Sequence, residues 1–308
     1  MNRFCFILFF INILNGQVNG VVLDSVSKEP IVYANVILQS EQIGVATNFK
    51  GAFQINNKNN LGSDTLLVTY VGYKPQKIVI NHKKRDRDSI YRLYLKEDIE
   101  LLDEVLIKSS KKLSQTTYKI KSKGKKLIGH NIKYNEEVIK LVNNNKNTSG
   151  KLLNVTFYFR SYERDYGQKL PVHYRLNFYS VDSISKKPKD LVLLESDIII
   201  KPEPKPELEN KYKNRNKKQA IKVDLKNYNI KFPKEGLFLG LQSINPSLTQ
   251  PKTGSFYIIT PMLLESYVKK ATTYYRTLGG ETFGNMKGLT KNHYRDLIID
   301  VELKYYEN

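Results

Sequence analysis

Cysteine is almost missing from the sequence, which has one among 308 residues. That residue, Cys5, lies inside an apolar run close to the N-terminus. If the run is removed on export, the mature chain has no cysteine, which excludes disulfides, thiolate metal ligands and a cysteine nucleophile. Cys5 also lies too early in the chain to carry the lipid of a lipoprotein. We therefore expect the exported protein to be held together by its hydrophobic cores alone.

Histidine and the short motifs of enzymes are equally scarce. The four histidines, His82, His130, His173 and His293, are scattered, and no two of them have the spacing of a metal site. We interpret His173, which begins a predicted strand, as a surface residue. The sequence has no Gly-x-Ser-x-Gly elbow, phosphate-binding loop or dinucleotide fingerprint, and the stretch LGGETFGNMKG is typical of a loop. We therefore predict no catalytic residue, no metal ligand and no cofactor.

Tryptophan is absent, whereas tyrosine occurs 21 times. Tyrosine rings can stack on sugar or peptide faces, and Tyr158, Tyr179, Tyr274 and Tyr275 are candidates if they stand on solvent-facing strand positions. We favour the simpler interpretation, in which most tyrosines are amphipathic sheet residues.

Paired carboxylates leave one enzymatic alternative open. A glycosidase needs two carboxyl groups about 5 to 10 Å apart in a cleft. Glu195 and Asp224 lie in predicted strands and are the candidates for such a pair. The alternation around Asp224 instead favours a solvent-facing strand residue. A carbohydrate-binding or carbohydrate-active protein is therefore kept as the alternative.

Acidic residues are outnumbered, 30 against 50 lysines and arginines, which gives a formal net charge of +20. Ten of the basic residues are arginine, although proteins that read nucleic acid favour arginine for bidentate contacts. The lysine excess, together with abundant Asn, Ile and Tyr, indicates an AT-rich genome rather than a phosphate-binding surface. We therefore predict no nucleic-acid partner. We interpret the lysine-rich run over residues 108–151 as a solvated face, and attraction to anionic glycans or lipid headgroups, which would weaken with salt, is the alternative.

No apolar run is long enough for a membrane-spanning helix, which needs about 20 residues. The N-terminal run, residues 4–11, follows a basic start and is typical of a signal peptide. We predict a signal peptide over residues 1–17 and place the mature protein in the periplasm, at the outer membrane or on the cell surface. A core strand at the N-terminus is the alternative interpretation.

Helical periodicity is also nearly absent, and an alternation with a period of two residues, typical of half-buried strands, runs through the chain. Seven or eight short strands within residues 18–108 predict a small antiparallel β-sandwich. One of these strands is placed at residues 102–107. In the stretch ANVILQ, for example, Ala34, Val36 and Leu38 share one face and are expected in the core.

Glycines and aromatic residues stand at the predicted turns of this sandwich. Gly51 and Gly72 allow the positive φ that tight reversals need, Phe53 is expected to fill one end of the core, and Tyr73 is expected to cover it at a corner. The wider set resembles the carboxypeptidase-regulatory-like domain of exported Bacteroidetes proteins. The residues that carry the resemblance are Gly20, Asp24, Pro30, Ala34, Asn35, Thr47, Asn48, Gly51, Phe53, Tyr70, Gly72 and Tyr73.

The resemblance implies an Ig-like or prealbumin-like β-sandwich with an accessory, non-catalytic role. In outer-membrane nutrient receptors of that phylum, the same module precedes a plug and a barrel. About 200 residues follow it here, too few for a plug and a 22-stranded barrel.

The second half carries the clearest alternation. Residues 109–116 are predicted to be a basic linker, and residues 117–308 a second β-sandwich of about eight strands, jelly-roll-like. Residues 136–142 are predicted to form one or two helical turns, and residues 201–218 a mobile loop. Two faces are assigned by alternation: Val155, Phe157, Phe159, Tyr174, Leu176 and Phe178 inward, and Thr156, Tyr158, Arg160, Arg175, Asn177 and Tyr179 outward.

These observations lead to one functional hypothesis and two alternatives. We expect a non-enzymatic, exported protein of a Bacteroidetes cell envelope that acts as a binding or scaffolding module for envelope proteins or glycans. The first alternative is the carbohydrate-binding or carbohydrate-active protein. The second is an accessory component of an outer-membrane nutrient-uptake complex.

Overall fold

The structure, a computed structural model, describes residues 16–57, 62–81, 90–98, 115–122, 127–146, 148–160, 168–203, 218–249, 257–280, 283–285 and 293–306. Nearly every element within these ranges is a strand, which confirms the all-β prediction. The predicted strand at 102–107 and most of the predicted signal peptide, basic linker and 201–218 loop lie outside the described residues. The proposed domain boundaries therefore stay predictions.

The first seven strands form what we call the N-terminal sandwich. The strands are β1 (Gly16–Asp24), β2 (Asn35–Leu38), β3 (Ile43–Ala46), β4 (Ala52–Asn57), β5 (Ser63–Thr69), β6 (Gln76–Asn81) and β7 (Tyr91–Leu95). One sheet has the order β4-β1-β7 and the other β3-β2-β5-β6. β1 pairs with β7 in parallel, so the wholly antiparallel arrangement expected from the sequence is wrong at this pair.

One core lies between these two sheets, and Ala34, Val36 and Leu38 are buried in it, as the alternation predicts. Gly20 and Phe53 face each other across β1 and β4. A Cβ on Gly20 would lie 2.4 Å from the Phe53 ring. The glycine therefore leaves the space that this ring, 2% exposed, fills.

The turn into β4 is built from side chain and backbone together. Asn48 Oδ1 accepts hydrogen bonds from the backbone N–H groups of Lys50 and Ala52. Gly51 has a φ of 66°, in the region that L-residues with a side chain rarely adopt. A Cβ on Gly51 would also lie 2.6 Å from the Val22 carbonyl oxygen and 3.1 Å from the Pro30 ring.

Asp24 closes the turn that follows β1. Its Oδ1 accepts hydrogen bonds of 2.7 Å from the backbone N–H groups of Val26 and Ser27. The bonds from Ser27 and Val26 lower the pKa of Asp24, because they favour its charged form. The buried Ala34 donates its N–H to Thr47 Oγ1, and that hydroxyl donates in turn to the Ile31 carbonyl. Polar signature residues thus satisfy the backbone where strands end.

The later strands form what we call the C-terminal sandwich. They are β8 (Gln115–Lys121), β9 (Leu127–His130), β10 (Glu136–Val142), β11 (Gly150–Arg160), β12 (Gln168–Pro171), β13 (His173–Val181), β14 (Pro188–Leu191), β15 (Ile198–Ile200), β16 (Lys218–Asp224), β17 (Lys231–Phe232), β18 (Leu237–Ile244), β19 (Tyr257–Thr260), β20 (Leu263–Val268), β21 (Thr273–Thr277), β22 (Tyr294–Leu297) and β23 (Ile299–Tyr306). A short 3-10 turn spans Lys226–Tyr228.

Two large sheets carry this sandwich. The six-stranded sheet has the path β14-β13-β18-β10-β21 with β15 beside β13. The eight-stranded sheet has the path β22-β20-β11-β23-β8, and β16, β17 and β9 pair alongside it. β12 and β19 form a separate parallel pair. The second half is therefore richer in strands than the sequence predicted.

The main core fills the space between the two large sheets, and the residues predicted to face inward on β11 and β13 are buried in it. The six-stranded sheet is covered on its other face as well. β18 is buried along its whole length, and Tyr179 and Phe238 pack with Ile139 on the second face. Arg175 and Tyr179 lie on the outward face of β13, as predicted, but they are buried there, so the solvent-facing position proposed for Tyr179 is wrong.

The same double covering explains the incorrect helical prediction for residues 136–142. They form β10, in which Val138 faces the main core and Ile139 faces the second cluster. A strand buried on both faces loses the polar–apolar alternation, so its apolar residues cluster in sequence as they do in a buried helix.

We predict that replacing Gly51 with alanine lowers the free energy of unfolding by more than the same change at Gly72. Both residues have positive φ, and a side chain in this region costs about 1–2 kcal/mol. The Cβ of Gly51→Ala would also collide with the Val22 carbonyl, whereas nothing lies within 4 Å of the Cβ position at Gly72. Denaturant titration of both variants measures the difference, and equal losses would contradict the packing described for Gly51.

Candidate functional site: the cleft between the sandwiches

The two sandwiches meet along a small apolar seam. Tyr33 and Ala46 of the N-terminal sandwich pack with Ile244 of β18. The Tyr33 ring stands edge-on to the His173 ring at 5.9 Å, and its hydroxyl lies 2.6 Å from His173 Nδ1. Phe49 packs against both rings. The seam places β13 of the second sandwich directly beside the segment that leads into β2.

Arg175, 4% exposed, joins the sandwiches next to this seam. Its Nη1 donates to Asn35 Oδ1 at 2.7 Å and to Gln242 Oε1 at 3.1 Å. Nη2 donates to the Tyr33 carbonyl and lies 3.0 Å from Asp197 Oδ2, and Nε donates to the same carboxylate at 3.1 Å. The guanidinium therefore makes four hydrogen bonds and an ion pair, which offsets the cost of burying its charge.

Asn35 is the residue of the N-terminal sandwich whose side chain bonds to this arginine and to its neighbour on β18. Its Oδ1 accepts from both Arg175 and Gln242 Nε2, the second at 3.1 Å. A signature residue expected to serve the fold of the small sandwich therefore also bonds to the second one.

A cleft of about 490 Å³ opens beside Arg175. Its N-terminal wall carries the Tyr70 and Tyr73 rings, whose centroids are 5.7 Å apart. Its opposite wall carries Leu191 and Leu193, which are 47% and 73% exposed. The lining consists of Asn35, Thr69, Tyr70, Val71, Gly72, Tyr73, Pro75, Asp98, Arg175, Asn177, Leu191, Leu193, Leu194, Glu195 and Asp197.

The charges of the cleft are mostly acidic. Asp98, Glu195 and Asp197 line it, against one cation, Arg175. Asp197 is held by Arg175, and Asp98 lies 3.5 Å from the exposed ammonium of Lys74. This acidic lining contrasts with the strongly basic chain as a whole.

Both tyrosines of the cleft stay neutral over the physiological range. Burial and the nearby Asp197 carboxylate raise the pKa of Tyr70. Burial and a hydrogen bond to Asp24 raise the pKa of Tyr73 to about 12. The two side chains can therefore offer their ring faces to a bound group, but they are poor bases or nucleophiles. The arrangement is suited to binding.

The two candidate carboxylates of the sequence are not brought together. Glu195 lies outside the strands, exposed, in the lining of the cleft. Asp224 ends β16, is exposed, and accepts a bond from the Lys226 backbone N–H. It is not part of the cleft lining.

The histidines and tyrosines are also placed differently from the expectation. His173 lies half-buried against Tyr33 rather than on the surface, and His130 is buried against Glu265 at 2.8 Å. His82 lies outside the described residues. Tyr179 is buried and bonds to Glu137, so the four proposed tyrosines do not form an open stacking surface. Across the described ranges no group of three or more His, Cys, Asp or Glu could hold a metal ion.

Buried charged residues are what the sequence interpretation missed. Glu137 accepts from Tyr179 and Asn177 and pairs with Arg276 at 2.7 Å. Glu265 pairs with His130 and, at 2.7 Å, with Arg295. Burial acts to raise the pKa of Glu265, but the hydrogen bond and charge of His130 and the charge of Arg295 hold it below its ordinary value. Period-two alternation assigns such residues to solvent and carries no signal that a second layer covers them.

We predict that Arg175→Met lowers the free energy of unfolding by about 3 kcal/mol, because it removes the cation that pairs with the poorly exposed Asp197 carboxylate and the donor that binds three further acceptors. Lys226→Met, which breaks the exposed pair between Lys226 and Asp224, is the matched control and should cost about 0.5 kcal/mol or less. Denaturant titration measures both. Similar small losses would show that Arg175 does not hold the sandwiches together.

A second prediction concerns pH. Burial, and after it the charge of Lys201, lowers the pKa of His173 from the model-compound value of 6.5. As the pH falls below that value, the unfolded chain takes up a proton that the folded chain refuses, so folding becomes less favourable. His173→Gln should therefore weaken the loss of stability between about pH 7.5 and about pH 5.5. Ile184→Gln, at a position that is 91% exposed and carries no titratable group, should leave the wild-type pH profile unchanged. Identical profiles for all three proteins would refute the assignment.

The comparison with known families assigns the N-terminal part of the chain. Residues 18–107 match the CarboxypepD_reg-like domain. Over 90 residues the chain is 33% identical to the TonB-dependent receptor SusC of Bacteroides thetaiotaomicron. The aligned stretch makes up 29% of this chain and 8% of that receptor.

Two solved structures resemble larger parts of the chain. The clostridial cysteine protease Cwp84 after propeptide cleavage has a TM-score of 0.31 at 10% identity, covering 96% of this chain and 66% of that one. A structure of infectious bursal disease virus, Gx strain, has a TM-score of 0.27 at 8% identity, covering 89% and 62%. At these scores neither carries an argument about function. The similarity to a known family therefore rests on the N-terminal segment, which supplies Asn35, Tyr70 and Tyr73 to the cleft.

Proposed function

We propose that the protein is a non-enzymatic, exported binding protein of a Bacteroidetes cell envelope, and that it works beside a nutrient-uptake receptor. The observation that carries the proposal is the cleft between the sandwiches. One wall comes from a domain of the kind found in a TonB-dependent receptor. The other wall presents exposed leucines of the C-terminal sandwich.

The chemistry of the cleft favours an extended polypeptide segment with apolar and basic side chains. Leu191 and Leu193 leave apolar surface in water that a bound aliphatic side chain would cover, at about 25 cal/mol for each Å² removed from water. Glu195 and Asp98 at the rim attract a lysine or arginine next to that side chain. An anionic partner would be repelled by the same groups.

The fixed geometry of the cleft supports binding rather than catalysis. Asp197 receives two contacts from Arg175, so it is held as an ion-paired structural group. The raised pKa values of Tyr70 and Tyr73 remove them as bases. Within the described ranges, no helix is both long and apolar enough to span a membrane.

A neutral glycan is the second candidate occupant, because of one observation. The Tyr70 and Tyr73 rings are tilted by 48° to each other and both line the cleft. Aromatic faces with hydroxyls at their edges can stack on sugar rings. A neutral oligosaccharide would not depend on the acidic rim, so the two occupants differ in their response to the charge of the ligand.

We predict that Leu193→Asn weakens partner binding at least about tenfold, since exposing or removing one aliphatic contact costs roughly 1.5 kcal/mol. Ile184→Asn is the control, because Ile184 is 91% exposed and lies outside the cleft lining. The measurement is fluorescence anisotropy with the full chain and two labelled peptides, one with leucines flanked by lysines and one with the same leucines flanked by glutamates.

Tight binding of the lysine peptide, weak binding of the glutamate peptide and loss with Leu193→Asn support the proposal. Equal binding of both peptides, or no difference between the two variants, contradicts it. Binding of a neutral oligosaccharide that Leu193→Asn abolishes, without binding of either peptide, identifies the second candidate.

For the envelope role, the tagged full-length chain should be recovered from the outer-membrane fraction together with a TonB-dependent receptor. Recovery of the uncleaved chain in the cytoplasm would refute export.

A further inference from the structure

A second pocket is lined by residues from both large sheets of the C-terminal sandwich. Its volume is about 260 Å³, which suits a single small ring rather than a polymer. Its lining consists of Ile120, Lys121, Ser122, Lys140, Leu141, Val142, Asn143, Asn145, Thr272, Asp296, Ile299 and Val301. None of these residues lines the cleft between the sandwiches, so the two sites are independent.

The floor of this pocket contains a buried ion pair between Lys140 of β10 and Asp296 of β22, each 8% exposed. The Asp296 carboxylate is well supplied with donors. Oδ1 accepts from the Thr272 backbone N–H and hydroxyl, both at 3.0 Å, and from the Thr273 hydroxyl at 2.7 Å. The carboxylate therefore has no need of a further partner.

The ammonium of Lys140 has fewer hydrogen-bond partners than the Asp296 carboxylate. It carries three N–H donors, and within the described part of the chain one hydrogen bond, to Asp296 Oδ2, is assigned to it. A buried cation is costly unless its donors have acceptors. Because Lys140 lines the pocket, its two other donors are available to a group that occupies this space.

The rest of the lining adds charge and polarity around this ammonium. Lys121 adds a second positive charge, so the two lysines exceed the single carboxylate. Asn143 and Asn145 are exposed residues of the lining. Ile120 and Val301 add apolar surface. The lining of the pocket thus combines two lysines, two asparagines and apolar side chains.

We propose that this pocket binds a small carboxylate carried on a hydroxylated ring, the chemistry of a uronic acid. The ligand carboxylate accepts from the two remaining donors of Lys140, a charge-assisted interaction that is stronger than a neutral hydrogen bond. The amides of Asn143 and Asn145 bond to ring hydroxyls, and the apolar wall covers the C–H face of the ring.

The test is calorimetric titration of the full chain with D-galacturonate and with D-galactose, which has the same ring without the carboxylate. We expect galacturonate to bind at least about tenfold more tightly than galactose, and increasing salt to reduce the difference. The double variant Lys140→Gln with Asp296→Asn removes both charges of the buried pair and should abolish the preference. The matched control, Lys226→Gln with Asp224→Asn, removes an exposed pair of the same charges and should retain it.

A measurement on the unmodified protein covers the case in which the double variant does not fold. Galacturonate should shift the NMR signals of the Asn143 and Asn145 side-chain amides, and galactose at the same concentration should shift them less. Equal affinity for the two sugars, a preference that survives in the Lys140 and Asp296 variant, or no amide shift at about 10 mM galacturonate, where even millimolar affinity would be seen, would each overturn the proposal.

Discussion

Arg175 is 4% exposed, so its guanidinium has to find acceptors for its donors within the protein, and this requirement organises the molecule. Its acceptors come from the N-terminal sandwich, from β18 and from Asp197. Since they lie in fixed directions around a planar group, the two sandwiches meet in one orientation. That orientation places the Tyr70 and Tyr73 wall opposite Leu191 and Leu193, and the cleft is its consequence.

The C-terminal sandwich follows the same physical rule at other points. Glu137 and Glu265 are buried carboxylates that pair with the partly buried Arg276 and Arg295, and His130 adds a hydrogen bond to Glu265. Breaking such a pair leaves an uncompensated charge in a poorly solvated place. These pairs therefore make alternative registers of the sheets costly. In a chain whose one cysteine lies near its start, such pairs, together with the apolar cores, specify the fold without disulfide bonds among the described residues.

The residues that carry the family resemblance have two kinds of role in the structure. Gly20, Gly51 and Phe53 act within the N-terminal sandwich, where a missing side chain or a large ring fits the core. Asn35 and Tyr73 also take part in that sandwich, but they face the second one across the seam and the cleft. A segment that matches a domain of a receptor thus provides one wall of a cleft whose other wall comes from the C-terminal sandwich, and this composite cleft is the basis of the proposed binding role.

The sequence by itself determined the strand character, the inward faces of β2, β11 and β13, and the positive-φ turn at Gly51, because these depend on local periodicity and backbone sterics. It did not determine the helical-looking stretch of β10, the burial of Arg175 and Tyr179, or the meeting of Asn35 with Gln242. Each of these depends on a second layer that covers an outer sheet face, built from residues distant in the chain. Alternation reports which residues share a face, and only tertiary packing decides whether the polar face meets water or another part of the protein.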